Sequence, residues 1–303
     1  MDAPFIASFN STETVALIQF LVPNRERLRA KLRKLIADGP AHLGIITDFD
    51  NTLTTYRVNG ISGPSTFKVL ELSGLFSEEF KQRSVALSTH YRPLEKDQSI
   101  PHEDKFKLMD DWWTSTFSNY LDQGVLQSSL PEMLRRSNIR FRHGIDSLLS
   151  QCHSSGVSFT VVSAGLGNIV QLMLEEVARP TDFHVVSNFM QFSPEGVLSG
   201  FTTPMIHSLS KAVAMHSQPT RQNLIVMGDL PTDIAVVDQV DYEEALFIGF
   251  ANDERKGSLE GYVAQFDLII LHDGNLDAVQ RLVQVVAGGA AEAPFAELLS
   301  STD

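Results

Sequence analysis

The chain has 303 residues, of which 43% are hydrophobic, so it carries enough apolar material for a sizeable core and an accessory domain. Lys and Arg total 24 against 37 Asp and Glu, and the net charge of −13 argues against a nucleic acid polymer as a partner. The lone cysteine excludes an intramolecular disulfide, and no apolar run reaches the roughly 18 residues that a membrane span needs. Because the chain also starts with an acid rather than a basic segment, we expect a cytoplasmic protein without a membrane partner. The composition does not indicate an oligomeric state.

The first predicted element is a helix over residues 12–38, which Pro23 and Asn24 divide in two. Five short apolar runs follow, and they do not alternate with polar residues. They cover residues 43–46, 159–162, 224–227, 246–250 and 268–271. Runs of this length suit strands buried on both faces, and helix-like segments such as 169–178 and 234–240 lie between them. The pattern predicts an α/β fold with a doubly wound parallel sheet.

A long interval interrupts this alternation with several predicted helices in succession. These helices cover residues 67–75, 78–91, 102–123 and 130–137. We therefore predict a helical cap over residues 64–140, inserted into a discontinuous α/β core made of residues 1–63 and 141–303. Farther along, residues 194–196 indicate a hairpin turn. The Ala- and Gly-rich tail from residue 287 is predicted to be frayed.

The strongest chemical signal is Asp48-Phe49-Asp50-Asn51-Thr52, directly after the first apolar run. In an extended chain, side chains two positions apart point to the same side, so Asp48 and Asp50 would lie together. A bound divalent cation that prefers oxygen ligands, such as Mg²⁺, offsets the repulsion between them. One such carboxylate can attack phosphorus, while the other carries a proton for the leaving group and then takes one from water. The alternative is a turn in which Asp50 and Asn51 only cap a helix.

Two further polar motifs also follow apolar runs. The Ser163-Ala164-Gly165 turn presents a hydroxyl and backbone N–H groups, as anion sites do, although such a turn is more often only a helix cap. The second motif carries Asp229 and Asp233, four positions apart. Asp229 is placed to complete a metal site with Asp233 behind it. The alternative is an ordinary turn with Asp233 in the first turn of a helix.

Lys211, in a helix-like stretch over residues 207–216, supplies the cationic group that the other motifs lack. In isolation such a lysine is usually solvated, but a phosphoryl transition state needs positive charge at its equatorial oxygens. The order of these motifs on successive α/β units resembles the haloacid dehalogenase superfamily of phosphatases.

Longer stretches resemble the cytosolic pyrimidine 5′-nucleotidase family within that superfamily. The segments that carry the resemblance are residues 45–54, 159–167, 185–190, 196–201, 205–207 and 228–238. Residues 185–190 and the Ile206-His207 pair are typical of this family rather than of the whole superfamily. The resemblance implies a haloacid dehalogenase-like core and a small-molecule nucleotide substrate. It further implies magnesium-dependent hydrolysis of nucleoside 5′-monophosphates through a phosphoaspartate.

The same resemblance implies roles for the acidic residues. Asp48 would be the nucleophile and a magnesium ligand. Asp50 would be the general acid/base and would offer its backbone carbonyl to the metal. Asp229 would be a further magnesium ligand, with Asp233 supporting it from behind.

The resemblance also implies roles for the phosphate-binding residues. Ser163 and the Ala164 amide would hold phosphate oxygens. Lys211 would bridge the phosphate and Asp48.

In that family the helical cap recognises the base of the substrate. Glu95 falls where a base-binding glutamate is expected, and Trp113 is predicted to stack on the base with Phe67 as the opposite wall of an aromatic slot. Such a slot would suit a large cationic base such as 7-methylguanine, so the base stays open between CMP or UMP and 7-methyl-GMP. The alternatives are an exposed charge pair between Glu95 and Lys96 and a purely packing role for the tryptophan.

Two other functions stay open on the sequence alone. One is a phosphatase of the same superfamily that acts on another small phosphate monoester. The other is a catalytically silent nucleotide-binding protein, against which the joint presence of Asp48, Asp50, Lys211 and Asp229 argues.

Overall fold

The computed structural model describes residues 5–7, 20–97, 99–178, 182–253 and 259–288. The strands are β1 (Phe5–Ala7), β2 (Phe20–Val22), β3 (Leu43–Thr47), β4 (Arg57–Val58), β5 (Ile61–Ser62), β6 (Ser158–Leu166), β7 (His184–Asn188), β8 (Met190–Phe192), β9 (Leu198–Phe201), β10 (Asn223–Gly228), β11 (Glu244–Ala251) and β12 (Leu268–Leu271). The helices are α1 (Arg25–Asp38), α2 (Thr66–Leu72), α3 (Glu78–Lys96), α4 (His102–Leu121), α5 (Leu130–Ser137), α6 (Ile145–Ser155), α7 (Gly167–Val177), α8 (Lys211–Met215), α9 (Leu259–Gln265) and α10 (Asp277–Gly288). Short 3₁₀ helices cover Pro40–His42, Gln127–Ser129 and Pro231–Val237.

The main sheet has the strand order β1-β2-β12-β11-β10-β3-β6-β7. The strands from β12 to β7 in this order run parallel to one another, which confirms the predicted parallel sheet. All five predicted apolar runs are strands of this sheet. β1 and β2 add an antiparallel edge next to β12.

Both faces of the sheet are covered, which explains why the strands do not alternate. Ile45 of β3 and Ile225 of β10 belong to a buried cluster that includes the apolar stripes of α1, α6 and α10. Their neighbours Ile46 and Val226 point to the other side and belong to a second buried cluster, together with Val236. A strand whose two faces both pack against apolar residues reads as a continuous apolar run.

The helix predicted over residues 12–38 is wrong at its centre. Residues 20–22 form β2 instead, and the helix begins only at Arg25, after an Asn24 side chain that accepts a hydrogen bond from Arg27 N. The three β2 residues are fully buried against the sheet edge, so pairing with β12 outweighs the local helical pattern. Residues 12–19 lie outside the described part of the chain, as does the tail beyond residue 288.

Two other predictions differ in detail. The segment 234–240 was expected to be helical, and the structure has a 3₁₀ helix over Pro231–Val237 there. β7 was not predicted as a strand, although it borders β6. The hairpin around residues 194–196 is confirmed, since β8 and β9 pair antiparallel across it.

Helices α2 to α5 follow one another between β5 and α6, as the sequence predicted for residues 64–140. Two adjacent stretches of chain, residues 53–55 and 140–142, lead from the sheet towards these helices and back again. We call these two stretches the neck. Thr54 pairs antiparallel with Phe141 in the neck, and Arg142 N donates to Leu53 O at 2.8 Å. Among the helices of the described residues, none combines the length and apolar character that crossing a bilayer requires.

Candidate active site at the carboxyl ends of the parallel strands

Asp48 lies at the end of β3, the central strand between β10 and β6. Its N–H donates to Met227 O of β10 at 3.0 Å, which extends the β3–β10 ladder by one bond. Phe49 is buried behind it, and the backbone then turns through Asn51, whose φ is +61°. Asn tolerates this left-handed conformation better than most residues do.

Lys211 is the cationic residue that contacts the acidic residues of the site. Its Nζ donates to Asp48 Oδ1 at 2.7 Å and to Asp233 Oδ1 at 2.9 Å, and only 8% of the residue is exposed. Burial acts to lower the pKa of Lys211, but the carboxylates of Asp233 and Asp48 outweigh it and hold the pKa above its ordinary value. The ammonium is therefore fully charged where a phosphate would meet Asp48.

Asp229 follows β10, and its backbone carbonyl accepts from Tyr262 Oη. Asp233 folds back over the same strand end, where its Oδ2 accepts from Leu230 N at 2.9 Å. Gly228 makes this approach possible, because a Cβ at that position would lie 2.3 Å from Asp233 Cβ. Burial and then the charges of Asp233 and Asp48 raise the pKa of Asp229 well above its usual range.

The donor set fits a divalent cation. Carboxylate oxygens of Asp48, Asp229 and Asp233 all lie within 4.8 Å of one another, and such oxygens are the ligands that hard cations prefer. Burial raises the pKa of Asp48 to about 6 despite the nearby Lys211. The single positive charge of Lys211 does not balance the negative charges of three clustered carboxylates. A divalent ion among them would supply the missing positive charge. Asp233 Oδ1 also accepts from Lys211 Nζ, and its Oδ2 accepts from Leu230 N.

Asp50 is held by the start of α2. Thr66 N donates to its Oδ1 at 2.9 Å, and Thr66 Oγ1 donates to its Oδ2 at 3.0 Å. Burial and the charge of Asp48 raise the pKa of Asp50 to about 7, although the two Thr66 hydrogen bonds act to lower it. A carboxyl group with a pKa near neutrality can both give and take a proton.

Ser163 and Ala164 lie in the last part of β6, beside β3, and the strand continues to Leu166, so the turn predicted at residues 163–165 is wrong. Ser163 is buried and its Oγ accepts from Gly165 N at 3.1 Å, and the β6–β7 register shifts between Val162 and Leu166. Ala164 O accepts from Trp113 Nε1 at 3.0 Å. Trp113 of α4 therefore contacts one of the two residues, Ser163 and Ala164, that the sequence predicted to bind phosphate.

The remaining predicted base-binding residues lie on the same segment. Glu95, on the last turn of α3, accepts a hydrogen bond from Ser208 Oγ at 2.6 Å, so it does not form the exposed charge pair with Lys96 that was the alternative. Phe67 and Trp113 are in edge-to-face contact, with ring centroids 6.1 Å apart and planes at 82°. Because the two rings are perpendicular and in contact, this pair does not form the predicted slot with two parallel walls for a base. Trp113 is also only 8% exposed.

Comparison with known proteins identifies the family. The family model for pyrimidine 5′-nucleotidase (UMPH-1) matches residues 51–287. The chain belongs to this family. Its members are 5′-nucleotidases, so the predicted enzyme class, phosphoric monoester hydrolase, is confirmed.

Individual relatives agree with the family assignment. A 7-methylguanosine phosphate-specific 5′-nucleotidase of Gallus gallus is 31% identical over 274 residues, covering 86% of this chain and 93% of the relative. The crystal structure of cytosolic 5′-nucleotidase IIIB bound to cytidine superposes with a TM-score of 0.79 at 27% identity, over 89% of this chain and 94% of that one. A HAD-family hydrolase from Salmonella enterica shares the fold, with a TM-score of 0.52 at 14% identity, 86% of this chain and 81% of that one.

Sequence reasoning missed several residues that this member of the 5′-nucleotidase family places around the site. Thr66 was not singled out, although its place at the start of a predicted helix could have suggested a carboxylate partner. Arg142 is 1% exposed and donates to the backbone carbonyls of Asn51 and Thr52, just after Asp50. No local pattern marks a buried arginine of this kind. Ser208 was likewise passed over.

Proposed function

We propose that this chain hydrolyses nucleoside 5′-monophosphates with Mg²⁺ as its metal, through a phosphoaspartate on Asp48. The observation that carries the proposal is the Lys211 bridge, in which one buried ammonium touches both Asp48 and Asp233. An ion pair of this kind costs desolvation energy, and it is useful where a negatively charged phosphoryl group meets a carboxylate nucleophile.

The proposed reaction has two steps. Asp48 Oδ attacks phosphorus, and the bond from phosphorus to the 5′-oxygen breaks while Asp50 donates a proton to that oxygen. Asp50 then takes a proton from water, which attacks phosphorus and releases inorganic phosphate from Asp48.

The remaining polar residues position the phosphate. Ser163, the Ala164 amide and Lys211 hold its oxygens throughout both steps. Asp48, Asp229 and the Asp50 carbonyl, with Asp233 behind them, would hold Mg²⁺, which would supply further positive charge to those oxygens.

Residues 64–140 act in this proposal as the cap that selects the substrate, on a core of residues 1–63 and 141–303. The neck supports the boundary near residue 140, because an inserted unit must leave and re-enter its host at neighbouring points. The hairpin of β4 and β5 lies between the neck and residue 64. Contacts from Trp113 to Ala164 and from Glu95 to Ser208 support a role for the cap at the site mouth.

We propose 7-methyl-GMP as the preferred substrate, with CMP as the second. The name of the Gallus gallus relative and the cytidine in the related crystal structure support this pair of bases. Glu95 would accept hydrogen bonds from base N–H groups, whereas Phe67 and Trp113 pack against each other and have no stacking role in this proposal. The net negative charge favours a small nucleotide over a nucleic acid polymer as the substrate. The cytosolic relative supports a cytoplasmic location.

The proposal is tested by measuring phosphate release from 7-methyl-GMP, CMP, UMP, GMP and ribose 5-phosphate, each with Mg²⁺ and with EDTA. We expect turnover of 7-methyl-GMP to exceed that of ribose 5-phosphate and to stop in EDTA. Equal turnover of every monoester would instead support a general phosphatase of the same superfamily. Loss of all turnover in Asp48→Asn, with a retained melting temperature, distinguishes this site from a contaminating activity.

A further inference from the structure

The carboxylate of Glu95 is held by a residue outside the cap. Ser208 Oγ donates to Glu95 Oε1 at 2.6 Å, across 113 positions of sequence. A hydroxyl bound to a carboxylate at this distance makes a charge-assisted hydrogen bond, which is stronger than a neutral one. Both side chains are half-buried, so the bond is protected in part from competing water.

Ser208 belongs to a short turn, residues 205–210, that we call the docking turn. The turn is closed by its own side chains: His207 N donates to Ser210 Oγ at 2.9 Å, and Leu209 N donates to His207 Nδ1 at 3.2 Å. It is also fixed to the core, because Asn188 Nδ2 donates to Ile206 O at 2.7 Å. Ser208 therefore has a defined position rather than that of a mobile loop residue.

The docking turn leads directly into the catalytic lysine. α8 begins at Lys211, three positions after Ser208. One rigid stretch of chain thus carries a hydrogen bond to the cap and the ammonium that touches Asp48. The distance between the base-reading carboxylate and the phosphate site is set by that stretch.

A second cap helix contacts the same turn. His207 is fully buried, and its Nε2 lies 3.3 Å from Asp110 Oδ1 of α4. The ring of Phe106, also on α4, meets the His207 ring edge-on at a centroid distance of 4.6 Å. Contacts from α3 and α4 therefore meet at the docking turn, and it supports the cap on two sides.

We propose that Ser208 is a positioning residue for base recognition, which holds the Glu95 carboxylate in the orientation that accepts N–H groups of a nucleotide base. This inference rests on the proposed base-binding role of Glu95. A carboxylate has two oxygens and about four acceptor positions, so a bond to Ser208 leaves acceptor capacity for the substrate. Fixing a glutamate in advance saves the side-chain entropy that binding would otherwise cost.

The ligand chemistry follows from this arrangement. A fixed carboxylate favours a base edge that presents adjacent N–H donors, as the amino group and ring N–H of a guanine do, over one with acceptors only. Ser208 acts through Glu95 and touches no reacting atom, so its effect belongs to KM more than to kcat.

The test compares Ser208→Ala, Ser208→Thr and Glu95→Ala on 7-methyl-GMP, CMP and base-free ribose 5-phosphate. We expect Ser208→Ala to lower kcat/KM for the nucleotides about 5- to 10-fold more than for ribose 5-phosphate, mainly through KM. Ser208→Thr keeps the hydroxyl and should restore the selectivity. The Ser208→Ala/Glu95→Ala double variant should lose no more selectivity than Glu95→Ala, because both changes remove one function.

Ser154→Ala is the matched control, because Ser154 is exposed on α6 and its hydroxyl only donates to Gln151 O. Additive losses in the double variant, or a Ser208→Ala loss that is equal for all three substrates, would overturn the positioning role while leaving the proposed function intact. A wild-type chain that treats ribose 5-phosphate and nucleotides alike would contradict base recognition itself, and the positioning role with it.

Discussion

Thr66 binds both carboxylate oxygens of Asp50, one through its backbone N–H and one through its hydroxyl. The hydroxyl also accepts from Leu166 N at 3.2 Å, at the end of β6. Since that N–H uses an acceptor position of the hydroxyl, the hydroxyl proton is directed at Asp50. The first residue of the cap helices therefore orients the carboxyl group that we propose as the general acid/base.

Replacing this hydroxyl should slow the reaction. Thr66→Val keeps the shape and the backbone bond but removes the bond to Asp50 Oδ2, and we expect kcat to fall on the order of 10-fold. Thr66→Ser should retain most of the activity because it keeps the hydroxyl. Steady-state kinetics with 7-methyl-GMP measures this, with Thr89→Val on the exposed face of α3 as the control. Equal kcat for Thr66→Val and wild type would refute the orienting role.

Lys211 should be needed for chemistry more than for binding of the base. Lys211→Met removes the ammonium that contacts Asp48 and Asp233, so we expect kcat to fall on the order of 100-fold or more. The variant should also melt at a lower temperature in EDTA, because its carboxylates lose their cationic partner. Single-turnover phosphate release and thermal melting check the two effects. Retention of wild-type kcat would show that phosphate binds elsewhere.

A divalent ion should stabilise the fold through the acidic cluster. An ion that binds only the folded state at about 100 times its Kd adds roughly 2.7 kcal/mol, or several degrees in Tm. We therefore expect Mg²⁺ to raise the Tm of the wild type and of Asp146→Asn, whose exposed side chain lies on α6. Asp229→Asn should show a much smaller rise. An equal rise in all three proteins would place the ion away from Asp229.

Without a divalent ion, stability should depend on pH through Asp50. Burial and the Asp48 charge raise its pKa from the ordinary 3.8 to about 7, so the folded state holds the proton more tightly than the unfolded state does. The contribution of Asp50 to stability is then greatest below about pH 4 and falls as the pH rises through about 7. In EDTA, Asp50→Asn should remove part of this fall and raise the Tm near pH 8 on the order of 5 °C. Parallel Tm–pH curves for variant and wild type would be incompatible with a raised Asp50 pKa.

The sequence predicted the parts of the site that follow strands. Asp48 and Asp229 lie after apolar runs, and parallel strands end at one edge of the sheet, so their meeting follows from topology. Lys211 was predicted because a phosphoryl transition state needs positive charge and the other motifs contain no cationic residue. Its contact with Asp48 was implied only by family resemblance. β2 was missed because three apolar residues before a proline carry no signal that distinguishes an edge strand from a helix end.

Contacts across the cap could not be predicted in the same way. The bond from Ser208 to Glu95 joins segments 113 positions apart, and it depends on how the cap lies on the core. The perpendicular contact of Phe67 and Trp113 depends on side-chain torsions that spacing along a helix does not determine. Buried Arg142 is a comparable case, since its acceptors are backbone carbonyls and the side chains of Asp273 and Asn252, more than 100 positions away in the chain.

The neck has an implication for how such enzymes diversify. Because Leu53 and Thr54 run beside Phe141 and Arg142, everything between these two points could be exchanged for another insert without altering the register of a single strand in the large sheet. A gene lineage could thereby acquire a new ligand preference in one recombination event, while inheriting Asp48, Lys211 and Asp229 unchanged, provided that the new insert supplies a partner for Asp50 in place of Thr66.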